Sequence, residues 1–241
     1  MLKSRLLVFA LFLLLYTTGL SQNGKLNEDL SLKYLVQLPP EKAEHPPVII
    51  LLHGRGSNEA DLFSLRTKFP KNYLIISARA PYDLGEGRYQ WFEINTANGK
   101  LDGNVEHLAN SRNLLIKFIS EIVNKYKADP KRVYMMGFSQ DAMMSYEVGL
   151  TVPDKLKGIA VLSDNIFESL KPLIKATPAL KQLKIFIGHG TADERVNFEL
   201  AKESNSYLKR LGLNPEFHSY NNMTHQISGE ELDDLVRWLA K

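Results

Sequence analysis

A short stretch in the middle of the chain constrains the fold more than any other feature. An apolar run at residues 133–136 leads into Gly-Phe-Ser-Gln at residues 137–140 and then into helix-forming residues. A serine at such a strand-to-helix turn exposes its hydroxyl, and the N-terminus of the helix offers backbone N–H groups to a developing oxyanion. We therefore predict that Ser139 is a nucleophile rather than a helix-capping serine. Asp141 stands where this kind of turn usually has a second glycine.

Short apolar runs alternate with amphipathic segments along most of the chain. The runs at residues 48–52, 158–162 and 183–187 are short and continuously apolar, as expected of strands covered on both faces. Further strands are predicted at residues 31–38, 73–77 and 215–220, and helices at residues 59–67, 105–127, 197–211 and 229–241 and directly after Ser139. The alternation predicts an α/β fold, with a mostly parallel sheet and helices on both faces in one domain. Ligands then bind at the carboxyl ends of the strands.

The first 21 residues have the three-part pattern of a secretory signal peptide. Residues 1–5 are basic, residues 6–15 are almost wholly apolar, and Gly19 and Ser21 place small residues before a cleavage site ahead of Gln22. The apolar run is too short for a spanning helix, so we favour cleavage over an uncleaved anchor. The sequence thus predicts a leader at residues 1–21, a folded domain at residues 22–241, and a secreted or periplasmic protein without a stable membrane anchor.

Composition excludes several classes of protein. The chain has no cysteine, which excludes disulfides, thiolate metal ligands and lipid attachment at a leader cysteine. Removing Lys3 and Arg5 with the leader leaves 28 basic and 27 acidic residues, so the formal net charge falls from +3 to +1. Such a balance does not indicate a nucleic-acid surface. An exported protein without disulfides fits a bacterial periplasm or exterior.

Downstream side chains can complete a serine nucleophile, which needs a base within hydrogen-bond reach. His225 lies between the last predicted strand and the last helix, where the chain order Ser, Asp, His places the base; the competing interpretation is a loop histidine that caps the helix. For the acid, we favour Asp193 after the 183–187 strand over Asp164 after the preceding one. His53 and His189 sit beside glycines and are predicted to orient loops, because the histidine spacing indicates no metal site.

A glycine-bearing loop and an aromatic pair supply further candidates. The loop at residues 53–56, His-Gly-Arg-Gly, follows a predicted strand, so the backbone N–H groups of Arg55 and Gln140 are predicted oxyanion donors. The loop lacks the third glycine and the acidic residue of a dinucleotide-binding motif. Trp91 and Phe92 follow the next strand, where they can line a substrate pocket or pack as an ordinary satellite core. Both interpretations of the aromatic pair stay open.

Together, these motifs resemble a known family. The relevant residues are Leu51–Gly54 with Gly56, Trp91-Phe92, Gly137–Gln140 with Ala142 and Met143, Leu162-Ser163, His189–Thr191 with Asp193 and Val196, and His225 with Ile227 and Ser228. Their order and spread over nearly the whole chain after the leader are similar to those of the carboxylesterase/phospholipase family of α/β-hydrolases, which includes acyl-protein thioesterases. The resemblance implies an α/β-hydrolase fold and cofactor-free hydrolysis of carboxylic esters or thioesters.

The resemblance also implies roles for individual residues. It assigns Ser139 as the nucleophile, Asp193 as the acid and His225 as the base. It further implies that the backbone N–H groups of Arg55 and Gln140 stabilise the oxyanion. It places the aromatic pair at residues 91–92 on the rim of the substrate cleft.

Two positions depart from the family pattern, since Asp141 and Asp164 stand where the family has glycines. We expect both carboxylates to lie beside the bound ester, to contact it, and as a pair to favour a cationic or polyhydroxyl substrate. The leading hypothesis is an exported serine carboxylesterase that acts on a small-molecule or polysaccharide-linked ester without a cofactor or metal. The alternative is a hydrolase-fold binding protein whose catalysis the two aspartates impair.

Overall fold

The structure is a computed structural model that describes residues 24–40, 43–97 and 100–241. The predicted leader at residues 1–21 lies outside this part of the chain. The strands are β1 (Tyr34–Gln37), β2 (Val48–Leu52), β3 (Leu74–Ala78), β4 (Tyr82–Gly85), β5 (Arg88–Gln90), β6 (Ile94–Ala97), β7 (Lys100–Gly103), β8 (Val133–Phe138), β9 (Gly158–Leu162), β10 (Lys184–Gly190) and β11 (Glu216–Tyr220). The helices are α1 (Ala60–Phe63), α2 (Val105–Tyr126), α3 (Gln140–Thr151), α4 (Pro178–Gln182), α5 (Phe198–Arg210) and α6 (Gly229–Leu239).

Seven strands of the described chain form one sheet in the order β1-β3-β2-β8-β9-β10-β11. β1 pairs with β3 in the antiparallel sense, and the other neighbours are parallel. β8, which ends just before Ser139, is the middle strand of the seven. The mostly parallel sheet predicted from the alternating segments is therefore confirmed.

Helices cover both faces of the sheet because the strands are apolar on both sides. In β2, Ile50 and Leu52 belong to a buried cluster with residues of α2, α3 and α5. The intervening residues Ile49 and Leu51 belong to a second cluster with residues of α1 and α6. Successive side chains of a strand point to opposite faces, so each face buries its own apolar layer. This arrangement confirms the prediction of helices on both faces of the sheet.

Polar side chains cap the first turns of α2, α5 and α6. Asn104 accepts hydrogen bonds from two backbone N–H groups of α2, Asn197 accepts one from α5, and Ser228 accepts one from α6. Such caps satisfy N–H groups that have no acceptor within the helix. Because Ser228 caps α6, the structure does not support the interpretation of His225 as the cap of that helix.

Two short hairpins between β3 and α2 differ from the loop expected there. β4 pairs with β5, and β6 pairs with β7, each as a separate two-stranded sheet. Neither hairpin has the buried apolar alternation that predicts a strand: β4 alternates half-buried and exposed residues, and Leu101 in β7 is 64% exposed. In the helix predicted at residues 59–67, only Ala60–Phe63 is α-helical, and a 3-10 turn follows at Ser64–Lys68.

The carboxyl ends of β2, β8, β9 and β10 meet at one edge of the sheet. The segments that follow these ends carry Arg55, Ser139, Asp164 and Asp193, and the loop after β11 carries His225. The candidate site residues are therefore gathered by topology rather than by sequence proximity. Among the described residues, no helix is both long and apolar enough to cross a membrane.

Candidate active site

The turn between β8 and α3 holds Ser139 in an unusual backbone conformation, with φ +59° and ψ −134°. A non-glycine residue at positive φ costs conformational energy and persists where surrounding structure fixes it. One such constraint is Gly137, where an added Cβ would lie 2.2 Å from the backbone oxygen of Asp141. A second is the N–H of Ser139, which donates to the carbonyl of Leu162 in β9 at 2.9 Å. The sheet and the first turn of α3 thus hold the serine in place.

The hydroxyl of Ser139 does not cap α3, although the residue occupies the N-cap position. Its Oγ lies 3.0 Å from Nε2 of His225, and Nδ1 of His225 lies 2.8 Å from Oδ2 of Asp193. The His225 ring also packs against Phe138, with ring centroids 4.9 Å apart. The three residues predicted as nucleophile, base and acid therefore form one hydrogen-bonded chain. In this chain His225 is bonded to Asp193 and not to Asp164.

Asp193 is fixed by bonds other than the one to His225. Its Oδ1 accepts the backbone N–H groups of Arg195 and Val196, each at 2.9 Å. Burial acts to raise the pKa of Asp193, but the hydrogen bonds from Val196, His225 and Arg195 outweigh it and lower the pKa. The carboxylate is thus anionic and accepts the Nδ1–H of His225. That tautomer leaves Nε2 free to accept the hydroxyl proton of Ser139.

His189, near the end of β10, lies next to Asp193. Its Nε2 lies 2.9 Å from the carbonyl oxygen of Val196 and 3.5 Å from Oδ2 of Asp193. Burial lowers the pKa of His189, so the ring is neutral and its Nε2–H donates to the carbonyl. His53 has a similar function at β2, where its Nε2 accepts the N–H of Ala80 at 3.0 Å. Both histidines orient loops, as the sequence indicated.

The two predicted oxyanion donors lie on segments next to Ser139. Gln140 opens α3, and the first N–H groups of a helix have no acceptor within it. The side chain of Gln140 is locked by donating to the carbonyl of Phe92 at 2.8 Å. The loop of Arg55 adjoins the serine closely, since a Cβ added at Gly54 would lie 3.8 Å from Cβ of Ser139. Arg55 itself donates from Nε to Gln90 at 3.0 Å.

The two aromatic residues at positions 91 and 92 have different surroundings. Trp91 is 0% exposed, its ring lies 6.1 Å from that of His53, and its carbonyl accepts the Ser111 hydroxyl at 2.6 Å. Trp91 is therefore a core residue, and its expected place on the cleft rim is corrected. Phe92 does line the cavity and packs edge-on against Phe167 at 5.8 Å.

A cavity of about 890 Å³ opens beside the hydrogen-bonded chain. Its wall includes Ser139 and His225 of the hydrogen-bonded chain, the adjoining Gln140, and Arg55 from the loop after β2. Further lining residues, which sequence analysis did not single out, come from β6, β7, the segment after β9, the loop after β10, and α5: Ile94, Leu101, Ile166, Phe167, Lys171, Arg195, Glu199, Lys202, Glu203, Tyr207 and Arg210. The sequence signal for residues 166–167 was that they follow the carboxyl end of β9. No motif marked the residues of α5.

The two aspartates Asp141 and Asp164 have different surroundings. Asp141 is 0% exposed, and neither of its carboxyl oxygens has a hydrogen-bond partner among the described residues. Burial, followed by the charges of Asp164 and Asp61, raises the pKa of Asp141 well above its usual range. Asp141 is also not among the residues that line the cavity beside Ser139. The expected substrate contact of Asp141 is therefore corrected.

Asp164 does line the cavity, although it is only 5% exposed. Its Oδ1 accepts the N–H of Asn165 at 2.8 Å. Burial raises the pKa of Asp164 to about 8, although backbone N–H groups of Asn165 and Met143 oppose the shift. The nearby charge of Asp193 raises the pKa further. Of the two aspartates, only Asp164 is placed to meet a ligand.

Metal coordination has no support from the side chains in the described ranges. Among these residues, no group of three or more histidine, aspartate or glutamate side chains is arranged to hold a metal ion. The groups that the structure brings together at the site are the side chains of Ser139, His225 and Asp193. A hydroxyl activated by an imidazole and faced by N–H donors can attack a carbonyl carbon.

Comparison with solved structures shows the same fold. The carboxylesterase of Bacillus cereus superposes with a TM-score of 0.74 at 24% identity, covering 87% of this chain and 93% of that one. The carboxylesterase of Mesorhizobium loti superposes with a TM-score of 0.75 at 20% identity, covering 89% and 97%. The chain therefore has the α/β-hydrolase fold.

Sequence comparison shows the family. Acyl-protein thioesterase 1 of Mycosarcoma maydis is 30% identical over 233 residues, which cover 87% of this chain and 97% of the relative. Acyl-protein thioesterase 1 of Candida albicans is 26% identical over 221 residues, covering 85% and 95%. The model of the family described as phospholipase/carboxylesterase matches residues 36–241. The chain therefore belongs to the phospholipase/carboxylesterase family of serine hydrolases.

Proposed function

We propose that the protein is an exported serine carboxylesterase that hydrolyses carboxylic esters through an acyl-enzyme intermediate. The observation that carries the proposal is the continuous hydrogen-bonded chain from Ser139 through His225 to Asp193, with contacts of 3.0 and 2.8 Å. These distances lie within the range at which a base takes a proton from a nucleophile. Ser139 and His225 of this hydrogen-bonded chain line a cavity that is large enough for an ester.

In the first half of the reaction, the hydroxyl oxygen of Ser139 attacks the acyl carbon while Nε2 of His225 takes its proton. Asp193 stabilises the imidazolium that forms. The backbone N–H groups of Arg55 and Gln140 stabilise the oxyanion of the tetrahedral intermediate. The bond from carbon to the leaving oxygen then breaks, and His225 gives its proton to the departing alcohol.

In the second half, water attacks the acyl-enzyme with His225 again acting as the base. The bond between the acyl carbon and Ser139 breaks, the serine recovers its proton, and the carboxylic acid leaves. The same steps cleave a thioester, with a thiol as the leaving group. The thioesterase names of the sequence relatives support hydrolysis of that bond type as well.

The structure of the site argues for activity rather than for a binding protein with impaired catalysis. Asp141, which motivated that alternative, is buried and has a raised pKa. A carboxyl group that keeps its proton adds no negative charge beside the oxyanion. The Ser139–His225 contact remains intact next to it.

The proposed substrate is a small-molecule or polysaccharide-linked ester met outside the cytoplasm. The apolar residues 6–15 behind basic residues 1–5 support export. Expression in a bacterial host followed by mass analysis of the exported protein tests this part. A mature chain that begins at Gln22 is expected, and full-length protein retained in the cytoplasm would contradict export.

Replacement of the nucleophile tests the catalytic proposal. Ser139→Ala should lower hydrolysis of p-nitrophenyl butyrate by about 10³-fold or more while the circular dichroism spectrum stays unchanged. Ser163→Ala is the matched control, because that hydroxyl is also buried near the site but has no partner among the described residues. The control should keep its activity. A Ser139→Ala variant as active as the control would refute the assignment.

A further inference from the structure

The wall of the cavity contains a carboxyl group that the proposed mechanism does not use. Asp164 follows β9 and lines the same cavity as Ser139, Gln140 and His225. It is 5% exposed, so its charge is poorly screened by solvent. An ionisable group in such a place costs free energy unless it has a partner. Because Asp164 lies in the same cavity wall as the nucleophile, its carboxyl group is placed to contact a bound substrate.

A second carboxyl group lies behind the first. Asp141 has no hydrogen-bond partner among the described residues, and the charge of Asp164 raises its pKa. The pKa values of these two carboxyls are shifted by burial, by backbone N–H groups and by the aspartates at positions 61, 164 and 193. Among the described residues neither carboxyl forms an ion pair, although five lysine and arginine side chains line the same cavity. Of these aspartates only Asp164 lines the cavity, so the wall beside Ser139 contains one buried carboxyl group without an ion-pair partner among the described residues.

We propose that Asp164 is a specificity determinant that binds a cationic group of the alkylammonium class on the ester substrate. This inference rests on the proposed function and names the substrate class of the same site. A bound cation supplies the opposite charge that Asp164 lacks, because the partner the structure gives its carboxyl group is the neutral N–H of Asn165. It also offsets the negative charge that would otherwise oppose the oxyanion beside Ser139. A neutral hydroxyl group of a substrate can donate a hydrogen bond to the carboxylate, but it cannot offset the negative charge that opposes the oxyanion.

A pair of isosteric esters tests the proposal without a change in shape. Butyrylcholine carries a permanent trimethylammonium group, and 3,3-dimethylbutyl butyrate carries the uncharged tert-butyl group in its place. A second pair, the ethyl esters of betaine and of 3,3-dimethylbutanoic acid, moves the charge to the acyl side. The ratio of kcat/KM for the charged and neutral members is measured at pH 8.5, where the Asp164 carboxyl, with its pKa of about 8, is mostly ionised.

Wild-type protein should favour the charged member by about tenfold or more in at least one pair. Asp164→Asn retains the size of the side chain and an acceptor for the N–H of Asn165, and should lower that ratio about tenfold relative to wild type. Glu203→Gln is the matched control, since it removes the same charge from an exposed lining residue on α5. Solvent screens that charge, so the ratio should stay at the wild-type value.

A binding measurement keeps the result independent of turnover. Tetramethylammonium chloride should inhibit hydrolysis of the neutral butyrate competitively in wild type but not in Asp164→Asn, at equal ionic strength set with NaCl. Equal rates on both members of both pairs in wild type, or an undiminished preference in Asp164→Asn, would overturn the inference. If wild type hydrolysed no member of either pair and Ser139 did not react with a fluorophosphonate, the proposed function itself would have failed.

Discussion

Asp164→Asn should stabilise the protein in a way that depends on pH. Burial raises the pKa of this carboxyl from 3.8 to about 8 in the folded state. Between these two values the folded protein keeps a proton that the unfolded chain has lost. The free energy of unfolding of wild type therefore falls as pH rises, by about 1.4 kcal/mol per pH unit from this group. Above pH 8 both states are ionised, and the decline from this group ends.

The magnitude follows from the width of that window. From pH 4 to pH 7 the loss amounts to about 4 kcal/mol, and asparagine has no proton to lose. The advantage of Asp164→Asn over wild type should grow by that amount across this range. Other carboxyls contribute to the pH dependence of both proteins, so the difference between the two curves isolates Asp164.

Urea unfolding followed by tryptophan fluorescence at pH 4, 5, 6, 7 and 8 provides the measurement, with ionic strength held constant. Glu203→Gln controls for the loss of one formal charge at an exposed site, and its curve should run parallel to that of wild type. A constant difference between Asp164→Asn and wild type from pH 4 to pH 8 would refute the reasoning. It would mean that the folded protein does not hold the proton.

Three other substitutions test how the site is held. His189→Leu removes the ring N–H that fixes the Asp193 loop, so kcat for p-nitrophenyl butyrate should fall about tenfold with little change in KM, and His189→Gln should restore part of it. Gly137→Ala places a Cβ 2.2 Å from a backbone oxygen of α3, and thermal unfolding should show a loss of at least about 2 kcal/mol. Arg112 of α2 forms a 2.7 Å ion pair with buried Glu147 of α3, so Arg112→Ala should cost about 3 kcal/mol in urea unfolding. An unchanged midpoint for Gly137→Ala or Arg112→Ala would contradict the contact from which that prediction is made.

The sequence predicted the sheet and the chain order of the site because both depend on buried strands. Apolar runs such as residues 48–52 are continuous only when both faces are covered, so their number and spacing led to the fold. The ends of those runs then placed Ser139, Asp193 and His225 at one edge of the sheet. The topology brings together residues as far apart in sequence as 139 and 225.

The remaining errors concern where a side chain points, which sequence pattern does not determine. Trp91 and Phe92 are adjacent, yet one packs into the core and the other faces the cavity. Asp141 and Asp164 both follow strand ends, yet only Asp164 reaches the cavity wall. The hairpins at β4–β5 and β6–β7 escaped prediction because hydrogen bonding, and not a buried apolar face, defines them.

The central claim, that Ser139 is the nucleophile of an ester hydrolase, is tested most directly by covalent labelling. The protein is treated with a fluorophosphonate, and intact-mass and peptide mass spectrometry locate the adduct. The account predicts one adduct per chain on Ser139, formed in parallel with the loss of esterase activity and slowed by excess ester. An unmodified Ser139 in protein that hydrolyses esters, or an adduct on another residue that abolishes the activity, would contradict it.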